Sequence, residues 1–250
     1  MADIVFYEAF EEEEAALRAC LPPDISAAFT WKTIQEAGHD APPGKLVSVR
    51  TQSVLPPAWA GEIDGIITRS TGYDHVTAYR RETGAPVPAG YLPLYCNRAV
   101  AEQALLLWLS LLRKLPMQRR NFRTFHRDGL TGRETAGRNL TVVGVGNIGH
   151  EVARIGRGLD MDVAGVDIVE RHDDVTYVAP EEGIGRADIL VCAMNLTAEN
   201  DGYFSEERLQ SMRPGSIFVN IARGELSPPR HLLACLEAEA LGGVGLDVYT

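Results

Sequence analysis

Short apolar runs alternate with segments of helical periodicity along the second half of the chain. The predicted strands are residues 140–145, 163–166, 189–193, 216–221 and 244–248, and the predicted helices are residues 148–159, 205–212 and 229–240. Apolar strands that alternate with helices are typical of a parallel sheet, because the crossover helices cover both of its faces. We therefore expect a doubly wound α/β domain from about residue 139 onward.

The first third of the chain shows a similar but less regular pattern. Residues 3–7, 45–49 and 65–68 are predicted strands, and a helix is predicted to end at Cys20, between the first two. Proline and glycine clusters separate these segments. The pattern predicts a second, smaller α/β domain.

A long apolar helix is predicted between the two regions, over residues 99–115, with Pro116 closing it. Its leucines and Trp108 lie nearly all the way round the helix, so we expect it to be buried between domains or between subunits. The helix divides the chain into a domain of residues 1–97 and a domain of residues 98–250. It also predicts self-association through the 99–115 region.

Composition and charge exclude several classes of protein. The chain has 250 residues, 45% of them hydrophobic, and a net charge of −10, with 24 basic and 34 acidic residues. That apolar fraction is enough for a folded core. The acidic balance argues against a nucleic-acid partner, which normally meets a basic face. Six arginines between residues 119 and 138 are interpreted as solvated or interdomain surface.

The cysteines and the apolar stretches bear on location. The four cysteines are far apart and form no C-x-x-C, so no disulfide framework, zinc site or other metal site is expected. Such cysteines favour a reducing compartment, here the cytoplasm. The N-terminus lacks a basic segment, so no signal peptide is predicted. The most apolar stretch, residues 104–112, has nine residues, whereas a membrane span needs about 20.

Residues 144–149 read Gly-Val-Gly-Asn-Ile-Gly, a G-x-G-x-x-G sequence between a predicted strand and a predicted helix. In this context Gly144 allows the tight turn, Gly146 leaves room for a pyrophosphate, and Gly149 lets the helix pack closely on the sheet. The helix N-terminus offers N–H groups and a positive dipole end to phosphates. The next strand ends at Asp167, 18 residues after Gly149, and this carboxylate suits ribose hydroxyls but repels a 2′-phosphate. The motif predicts a site for NAD rather than NADP.

Together with other segments, this motif makes the chain similar to a known family. The segments that carry the likeness are residues 69–75 (Arg-Ser-Thr-Gly-Tyr-Asp-His), 99–102 (Ala-Val-Ala-Glu), the glycine motif with Asp167, 220–226 (Asn-Ile-Ala-Arg-Gly-Glu-Leu) and 245–249 (Gly-Leu-Asp-Val-Tyr). The chain resembles the D-isomer-specific 2-hydroxyacid dehydrogenases. The resemblance implies a Rossmann doubly wound domain that binds NAD and a smaller flavodoxin-like α/β domain that binds substrate. It also implies hydride transfer between nicotinamide and C2 of a small 2-keto or 2-hydroxy acid, and a homodimer formed through the 99–115 region.

The resemblance further implies roles for particular residues. Arg223 would clamp the substrate carboxylate and polarise the keto oxygen. Thr71 and Gly72 would give backbone N–H groups to the same carboxylate, and Asp247 would hydrogen-bond the nicotinamide carboxamide. The cofactor-binding residues implied in this way are Gly144, Gly146, Asn147, Ile148, Gly149, Asp167, Met194, Asn195, Asn200, Ile221, Ala222, Arg223 and Asp247.

The sequence departs from the family pattern in two respects. Asn195 stands where the family usually has proline, and Asn200 stands where it often has threonine. The histidine that handles the proton, and the glutamate that orients it, are expected beyond Thr250, so the chain is predicted to continue past this residue. None of its six histidines lies at the motif position. His75, the nearest to the substrate loop, is interpreted as structural.

Two alternatives stay open from the sequence. Some relatives with this fold are cofactor-sensing co-repressors, so the chain is alternatively a non-catalytic NAD(H)-binding module or a truncated inactive chain. A formate-type oxidiser on the same scaffold is the other alternative. Phosphite-oxidising enzymes on this scaffold carry a lysine at the position of Thr71, so phosphite is disfavoured as the substrate. The motifs do not encode the particular 2-hydroxy acid or the physiological direction.

Overall fold

The computed structural model describes residues 1–249, which form two compact units with a boundary between Tyr95 and Cys96. We call residues 1–95 unit 1 and residues 96–249 unit 2. The boundary expected from the sequence lies between residues 97 and 98. Each unit is built on its own sheet of parallel strands.

Unit 1 contains a five-stranded sheet with helices between its strands. Its strands are β1 (Ala2–Phe6), β2 (Ala27–Phe29), β3 (Gly44–Val49), β4 (Gly65–Thr68) and β5 (Ala89–Gly90), and its helices are α1 (Glu11–Cys20), α2 (Ile34–Ala37) and α3 (Asp74–Thr83). The strands are all parallel and lie in the order β2-β1-β3-β4-β5. This is the flavodoxin-like order, so the predicted fold class of the smaller domain is confirmed. The sequence did not reveal β2 and β5, because they are too short to show a pattern.

The central strands β1, β3 and β4 of unit 1 are largely buried on both faces. Side chains alternate along a strand, so successive residues pack on opposite faces of the sheet. In β1, Ile4 and Phe6 pack on one face with Leu17 of α1. Val5 packs on the other face with Trp59. Burial on both faces explains why these strands appear as apolar runs in the sequence.

Unit 2 contains a six-stranded sheet. Its strands are β6 (Asn139–Val143), β7 (Asp162–Val166), β8 (Thr176–Tyr177), β9 (Ile189–Cys192), β10 (Ser216–Asn220) and β11 (Leu241–Leu246), and its helices are α4 (Asn97–Leu112), α5 (Leu115–Asn121), α6 (Asn147–Gly158), α7 (Pro180–Arg186), α8 (Glu206–Gln210) and α9 (Pro229–Glu237). The parallel strands lie in the order β11-β10-β9-β6-β7-β8, which is the doubly wound order of a Rossmann fold. Side chains of α4 and α6 pack in one apolar cluster, and those of α7, α8 and α9 pack in the other. The predicted Rossmann domain is confirmed.

The apolar helix at the start of unit 2 differs from the prediction at its end. α4 ends at Leu112, Lys114 is left-handed with a φ of 54°, and α5 begins at Leu115. Pro116 lies in the first turn of α5, where its missing N–H costs no hydrogen bond. The prediction of one helix over residues 99–115 is wrong, because this proline marks a helix start instead of a helix end.

Only one face of α4 is buried within the described chain. Its buried residues, Ala101, Ala104, Trp108 and Leu112, recur every three or four positions and belong to the core shared with α6 and the sheet. Leu106, in contrast, is 55% exposed. The expectation of burial all round the helix is therefore not met within the single chain. An apolar outer face is left on this helix.

β11 begins three residues before the predicted strand, at Leu241. Gly242 and Gly243 weaken the apolar pattern there, but both pack closely, and Gly242 is required because it faces backbone. A Cβ on Gly242 would lie 2.9 Å from the carbonyl carbon of Gly215, and one on Gly243 would lie 3.1 Å from the Leu111 side chain. These contacts join residues that are distant in sequence, so the start of β11 at Leu241 is not visible in the local pattern.

All four cysteines are free thiols: Cys20 is exposed, Cys96 is half-buried, and Cys192 and Cys235 are buried. Burial raises the pKa of the Cys192 thiol to about 12, so this side chain at the end of β9 stays protonated at neutral pH. No helix within residues 1–249 combines the length and the apolar composition that crossing a membrane requires.

Candidate functional site

The strand order of unit 2 reverses between the neighbouring strands β6 and β9. In open parallel sheets, ligands bind at the carboxyl edge beside such a reversal. The predicted cofactor residues that follow β6, β7, β9, β10 and β11 by one or two positions are Gly144, Asp167, Met194, Ile221 and Asp247. Because the strands are parallel, the sheet brings these residues to one edge.

Gly144 and Gly149 are required by close packing. Gly144 has a φ of 91°, and a Cβ there would lie 2.7 Å from the carbonyl carbon of Ala193 and would overlap the Met194 backbone. A Cβ on Gly149 would lie 3.0 Å from the carbonyl carbon of Gly144 and would overlap its oxygen. No other residue fits at either position, so the tight turn and the close approach of α6 depend on glycine.

Gly146 serves a different purpose. A Cβ on Gly146 would meet no atom within 4 Å, so packing within the protein does not require glycine here. Gly146 is the N-cap of α6, which begins with Asn147 and Ile148, and its lack of a side chain leaves the cap without a side-chain hydrogen bond. The N–H groups of the first turn and the positive dipole end suit an anion. A pyrophosphate fits the space that a side chain would fill.

Asp167, at the end of β7, holds two backbone segments. Its Oδ2 accepts a hydrogen bond from the N–H of Val145 at 2.6 Å, and its Oδ1 accepts one from the N–H of Val169 at 3.1 Å. Each carboxylate oxygen has further lone-pair capacity, so Asp167 can also accept hydrogen bonds from ribose hydroxyls. The bond to Val145 was not visible in the sequence. It couples the shape of the glycine loop to the acid that favours NAD.

The loop after β9 carries three of the predicted cofactor residues, and Asn200 holds it closed. The side-chain oxygen of Asn200 accepts a hydrogen bond from the N–H of Thr197 at 2.7 Å, and its amide donates to the carbonyl oxygen of Asn195 at 2.8 Å. Met194 lies against Gly144 at the base of the loop. Asn200 thus shapes the loop, and its contact with the cofactor stays a prediction.

Arg223 follows β10 in a loop that a buried asparagine organises. Asn220 is fully buried at the end of β10. Its side-chain oxygen accepts a hydrogen bond from the N–H of Ala222 at 2.9 Å, and its amide donates to the carbonyl oxygen of Arg223 at 2.8 Å. The N–H of Asp247 donates to the Asn220 carbonyl oxygen at 3.0 Å, which ties the β11 end to this loop.

Asn220 is a functional residue that the sequence motifs did not reveal. Its signal in the sequence is a polar residue directly after the apolar residues 217–219 of β10. Because a buried amide must find hydrogen-bond partners, such a residue marks a shaped loop. The Arg223 side chain is half-buried, and its Nη1 donates to the carbonyl oxygen of Ala222 at 2.9 Å. Arg223 is thereby held at the same sheet edge as the glycine loop.

One group in the described part of the chain has the composition of a metal site. His150 on α6 and His172 and Asp174 on the loop after β7 place potential ligand atoms within 4.8 Å of one another. The two rings stack in parallel with centroids 3.8 Å apart, so their in-plane lone pairs do not converge on one ion. Asp174 hydrogen-bonds His150 at 2.9 Å and Arg157 at 2.5 Å. The group therefore ties the loop after Asp167 to α6.

The predicted substrate loop, residues 69–75, directly follows β4 at the carboxyl edge of the unit 1 sheet. The Ser70 hydroxyl donates to the carbonyl oxygen of Gly72 at 2.6 Å. The N–H of Leu92 donates to the carbonyl oxygen of Ser70 at 3.1 Å. Thr71 and Gly72 are half-buried. The loop therefore has a defined shape, set partly by its own side chains.

The fold and the glycine loop define a dinucleotide-binding α/β protein, and comparisons with known sequences agree. The family model described as D-isomer specific 2-hydroxyacid dehydrogenase, NAD binding domain, matches residues 105–250. A D-lactate dehydrogenase of Streptococcus agalactiae is 28% identical over 231 residues, which cover 88% of this chain and 69% of that protein. A glyoxylate reductase of Pyrococcus furiosus is 28% identical over 194 residues, or 72% of this chain and 57% of that protein.

Solved structures share the fold. D-Lactate dehydrogenase from Aquifex aeolicus, in complex with NAD and lactic acid, matches with a TM-score of 0.86 at 24% identity, covering 98% of this chain and 77% of that one. Apo D-lactate dehydrogenase from Escherichia coli matches with a TM-score of 0.83 at 23% identity, covering 98% and 82%. The chain belongs to the D-isomer specific 2-hydroxyacid dehydrogenase family and is an NAD-dependent oxidoreductase.

Proposed function

We propose that the protein interconverts a small 2-keto acid and the corresponding D-2-hydroxy acid with NAD(H). The observation that carries this proposal is the position of Arg223. It follows β10 at the same sheet edge as the glycine loop and Asp167, and the buried Asn220 fixes its backbone. A guanidinium in that position suits a carboxylate with an adjacent keto oxygen, because it donates two parallel hydrogen bonds.

The residues of unit 2 divide the work of holding the cofactor. The glycine loop, with Gly144, Gly146 and Gly149, receives the pyrophosphate, and Asp167 receives the adenosine ribose. The residues that line the remainder of the cofactor, in this proposal, are Asn147, Ile148, Met194, Asn195, Asn200, Ile221, Ala222, Arg223 and Asp247. Bound NAD(H) supplies the hydride acceptor or donor at C4 of its nicotinamide.

The substrate is held by groups of this chain in the proposal. Arg223 clamps the carboxylate and stabilises the negative charge that develops on the keto oxygen during reduction. Thr71 and Gly72 donate backbone N–H groups to the carboxylate, the role that the family resemblance gives them. The same resemblance assigns proton transfer to a histidine paired with a glutamate, and we assign that step to none of the histidines described here.

Steady-state assays of the purified protein test this proposal. Glyoxylate, pyruvate and 4-methyl-2-oxopentanoate are offered with NADH or NADPH, and formate is offered with NAD. We expect reduction of at least one 2-keto acid, and kcat/KM for NADH at least about tenfold above that for NADPH, because Asp167 repels a 2′-phosphate. Tight NADH binding without turnover would favour a binding module, and formate oxidation alone would favour the formate-type enzyme.

We also infer that the protein is a homodimer formed through the region of residues 99–115. Two large apolar side chains in this region are exposed, Leu106 at 55% and Leu115 at 51%. Phe122 and Phe125, a few residues beyond it, are exposed as well, and their rings lie 5.5 Å apart. Large apolar side chains exposed along one segment are typical of an interface.

Sedimentation velocity at about 10 µM protein tests the dimer, since interfaces of standard size hold at such concentrations. We expect twice the mass of one chain. The double substitution Leu106→Glu with Leu115→Glu should give the monomer mass, because both exposed side chains lie in the 99–115 region. Trp31→Glu, at an exposed residue of unit 1, serves as the control and should stay dimeric. A monomeric wild-type protein would contradict the inference.

A further inference from the structure

Arg69 is the first residue of the predicted substrate loop and is buried, with 6% of its surface exposed. Its Nη2 donates to the carbonyl oxygen of Tyr7 at 2.7 Å and to that of Glu8 at 3.2 Å. Its Nη1 donates to the hydroxyl of Ser48 at 2.9 Å. The guanidinium thus joins the carboxyl end of β1, the end of β3 and the start of the loop after β4.

A single carboxylate balances this buried charge within the described part of unit 1. The Nε of Arg69 donates to Glu13 of α1 at 2.8 Å, and Nη2 makes a longer contact to the same carboxylate at 3.4 Å. The guanidinium carbon also lies 5.6 Å from the centre of the Phe6 ring. A buried cation that lost these partners would be strongly unfavourable, so the arrangement holds the side chain in one position.

The network reaches a second loop at the same edge. Glu8 is buried with a φ of 55°, and its carboxylate accepts hydrogen bonds from the N–H groups of Arg50, Gln52 and Ser53 at 2.9–3.2 Å. The carbonyl oxygen of Glu8 is an acceptor for Arg69. The loops after β1, β3 and β4 are therefore fixed relative to one another by a few buried polar groups.

We propose that Arg69 is a positioning residue for the substrate carboxylate. It acts through the backbone, because its side chain is anchored on β1, β3 and α1 while its own peptide continues into Ser70, Thr71 and Gly72. The N–H of Arg69 donates to the carbonyl oxygen of Val49 at 2.8 Å, which fixes the other side of the residue. The proposal rests on the proposed function, in which Thr71 and Gly72 donate N–H groups to substrate.

The chemistry explains why lysine cannot replace this arginine. A planar guanidinium donates from three nitrogens in fixed directions, and here they reach the backbone, a hydroxyl and a carboxylate at once. A lysine keeps the charge but presents one nitrogen, so it leaves buried acceptors without partners. Arg69→Lys therefore loosens the loop without removing the positive charge.

The positioning role is tested with the variants Arg69→Lys and Glu13→Gln. The control is an exposed ion pair on α1, the helix that carries Glu13. Arg18 and Glu14 form an i,i+4 ion pair at 2.7 Å, with 57% and 34% of their side chains exposed. Arg18→Lys and Glu14→Gln are the controls, because an exposed pair contributes little. Steady-state kinetics of the purified protein, at varied 2-keto acid and at varied NADH, separate the two KM values. Amide shifts of Thr71 and Gly72 in ¹⁵N spectra report the loop directly.

We expect Arg69→Lys to raise the KM for 2-keto acid by about tenfold or more, because a small misplacement of a binding group is costly. The KM for NADH should stay within about twofold, and Glu13→Gln should give a smaller rise of the same kind. The amide signals of Thr71 and Gly72 should move in Arg69→Lys and stay in place in Arg18→Lys. If Arg69→Lys does not fold, the two KM values of Glu13→Gln decide the test.

Three results separate the possible failures. An unchanged KM for 2-keto acid in both variants, with an active wild type, overturns the positioning role. Equal rises in both KM values also overturn it, because they indicate a general loss of structure. If the wild type reduces no 2-keto acid, the proposed function fails. The amide shifts of Thr71 and Gly72 then decide whether Arg69 shapes the loop. Unmoved Thr71 and Gly72 signals would then reject the role of Arg69 in shaping the loop.

Discussion

Arg223→Ala is expected to lower kcat/KM for 2-keto acids by about 10³-fold, while the Kd for NADH stays within about twofold. The reason is that the guanidinium both binds the carboxylate and stabilises the charge on the keto oxygen, whereas NADH is held mainly by the glycine loop and Asp167. Arg223→Lys should retain part of the activity, since it keeps the charge but loses the paired hydrogen bonds. Steady-state kinetics and an NADH fluorescence titration measure both quantities.

The control for this experiment lies at the opposite end of the same strand. Arg213 precedes β10, its side chain is 48% exposed, and it pairs with Asp188 at 3.3 Å. Arg213→Ala removes an equal charge from the same unit but far from the carboxyl edge, so turnover should be nearly unchanged. If Arg223→Ala kept more than about a tenth of the wild-type kcat/KM, the assignment of Arg223 would be wrong.

Gly149→Ala is expected to destabilise the protein by about 3 kcal/mol and to weaken NADH binding at least tenfold. The added Cβ would overlap the carbonyl oxygen of Gly144, and neither backbone can move without reshaping the turn. For a chain of this size, that loss corresponds to a fall in Tm of about 6–12 °C. Thermal unfolding and the NADH titration check the two effects.

Two other glycines of the same segment provide matched comparisons. A Cβ on Gly158, in the last turn of α6, meets no atom within 4 Å, so Gly158→Ala should leave the Tm unchanged or slightly raised. A Cβ on Gly146 also meets no protein atom, so Gly146→Ala should keep the Tm but weaken NADH binding. A normal Tm and normal NADH affinity in Gly149→Ala would contradict the packing argument.

Much of unit 2 could be predicted from the sequence because its signals are local. Five of its strands are buried on both faces and therefore appear as apolar runs, and the glycine motif fixes where β6 ends and α6 begins. Asp167 follows from the length of one βαβ unit. The short β8 shows no such run and was missed. The parallel topology then places the ends of the strands at one edge, so the cofactor side of the site follows from local pattern and topology.

The features that could not be predicted from the sequence depend on contacts between residues that are distant along the chain. Arg69 pairs with Glu13 across 56 residues, and no periodicity links the two. Asn220 shapes the loop before Arg223 because its side-chain amide hydrogen-bonds the backbone of Ala222 and Arg223, and only the folded structure shows these bonds. Pro116 was misinterpreted because proline is compatible with the start of a helix as well as with its end. The exposed outer face of α4 could not be predicted, because only tertiary packing decides which of its leucines are covered.

In the proposed reaction, a hydride passes between the nicotinamide and C2 of a 2-keto acid to give the D-product. The most direct measurement uses NADH deuterated at C4 on the transferred face. Mass spectrometry and chiral chromatography of the product locate the deuterium and the configuration. The substrate is the faster of pyruvate and 4-methyl-2-oxopentanoate, because glycolate from glyoxylate has no stereocentre apart from the isotope, and we predict one deuterium at C2 of the D-2-hydroxy acid. A product without deuterium at C2, or an L-product, would contradict the account.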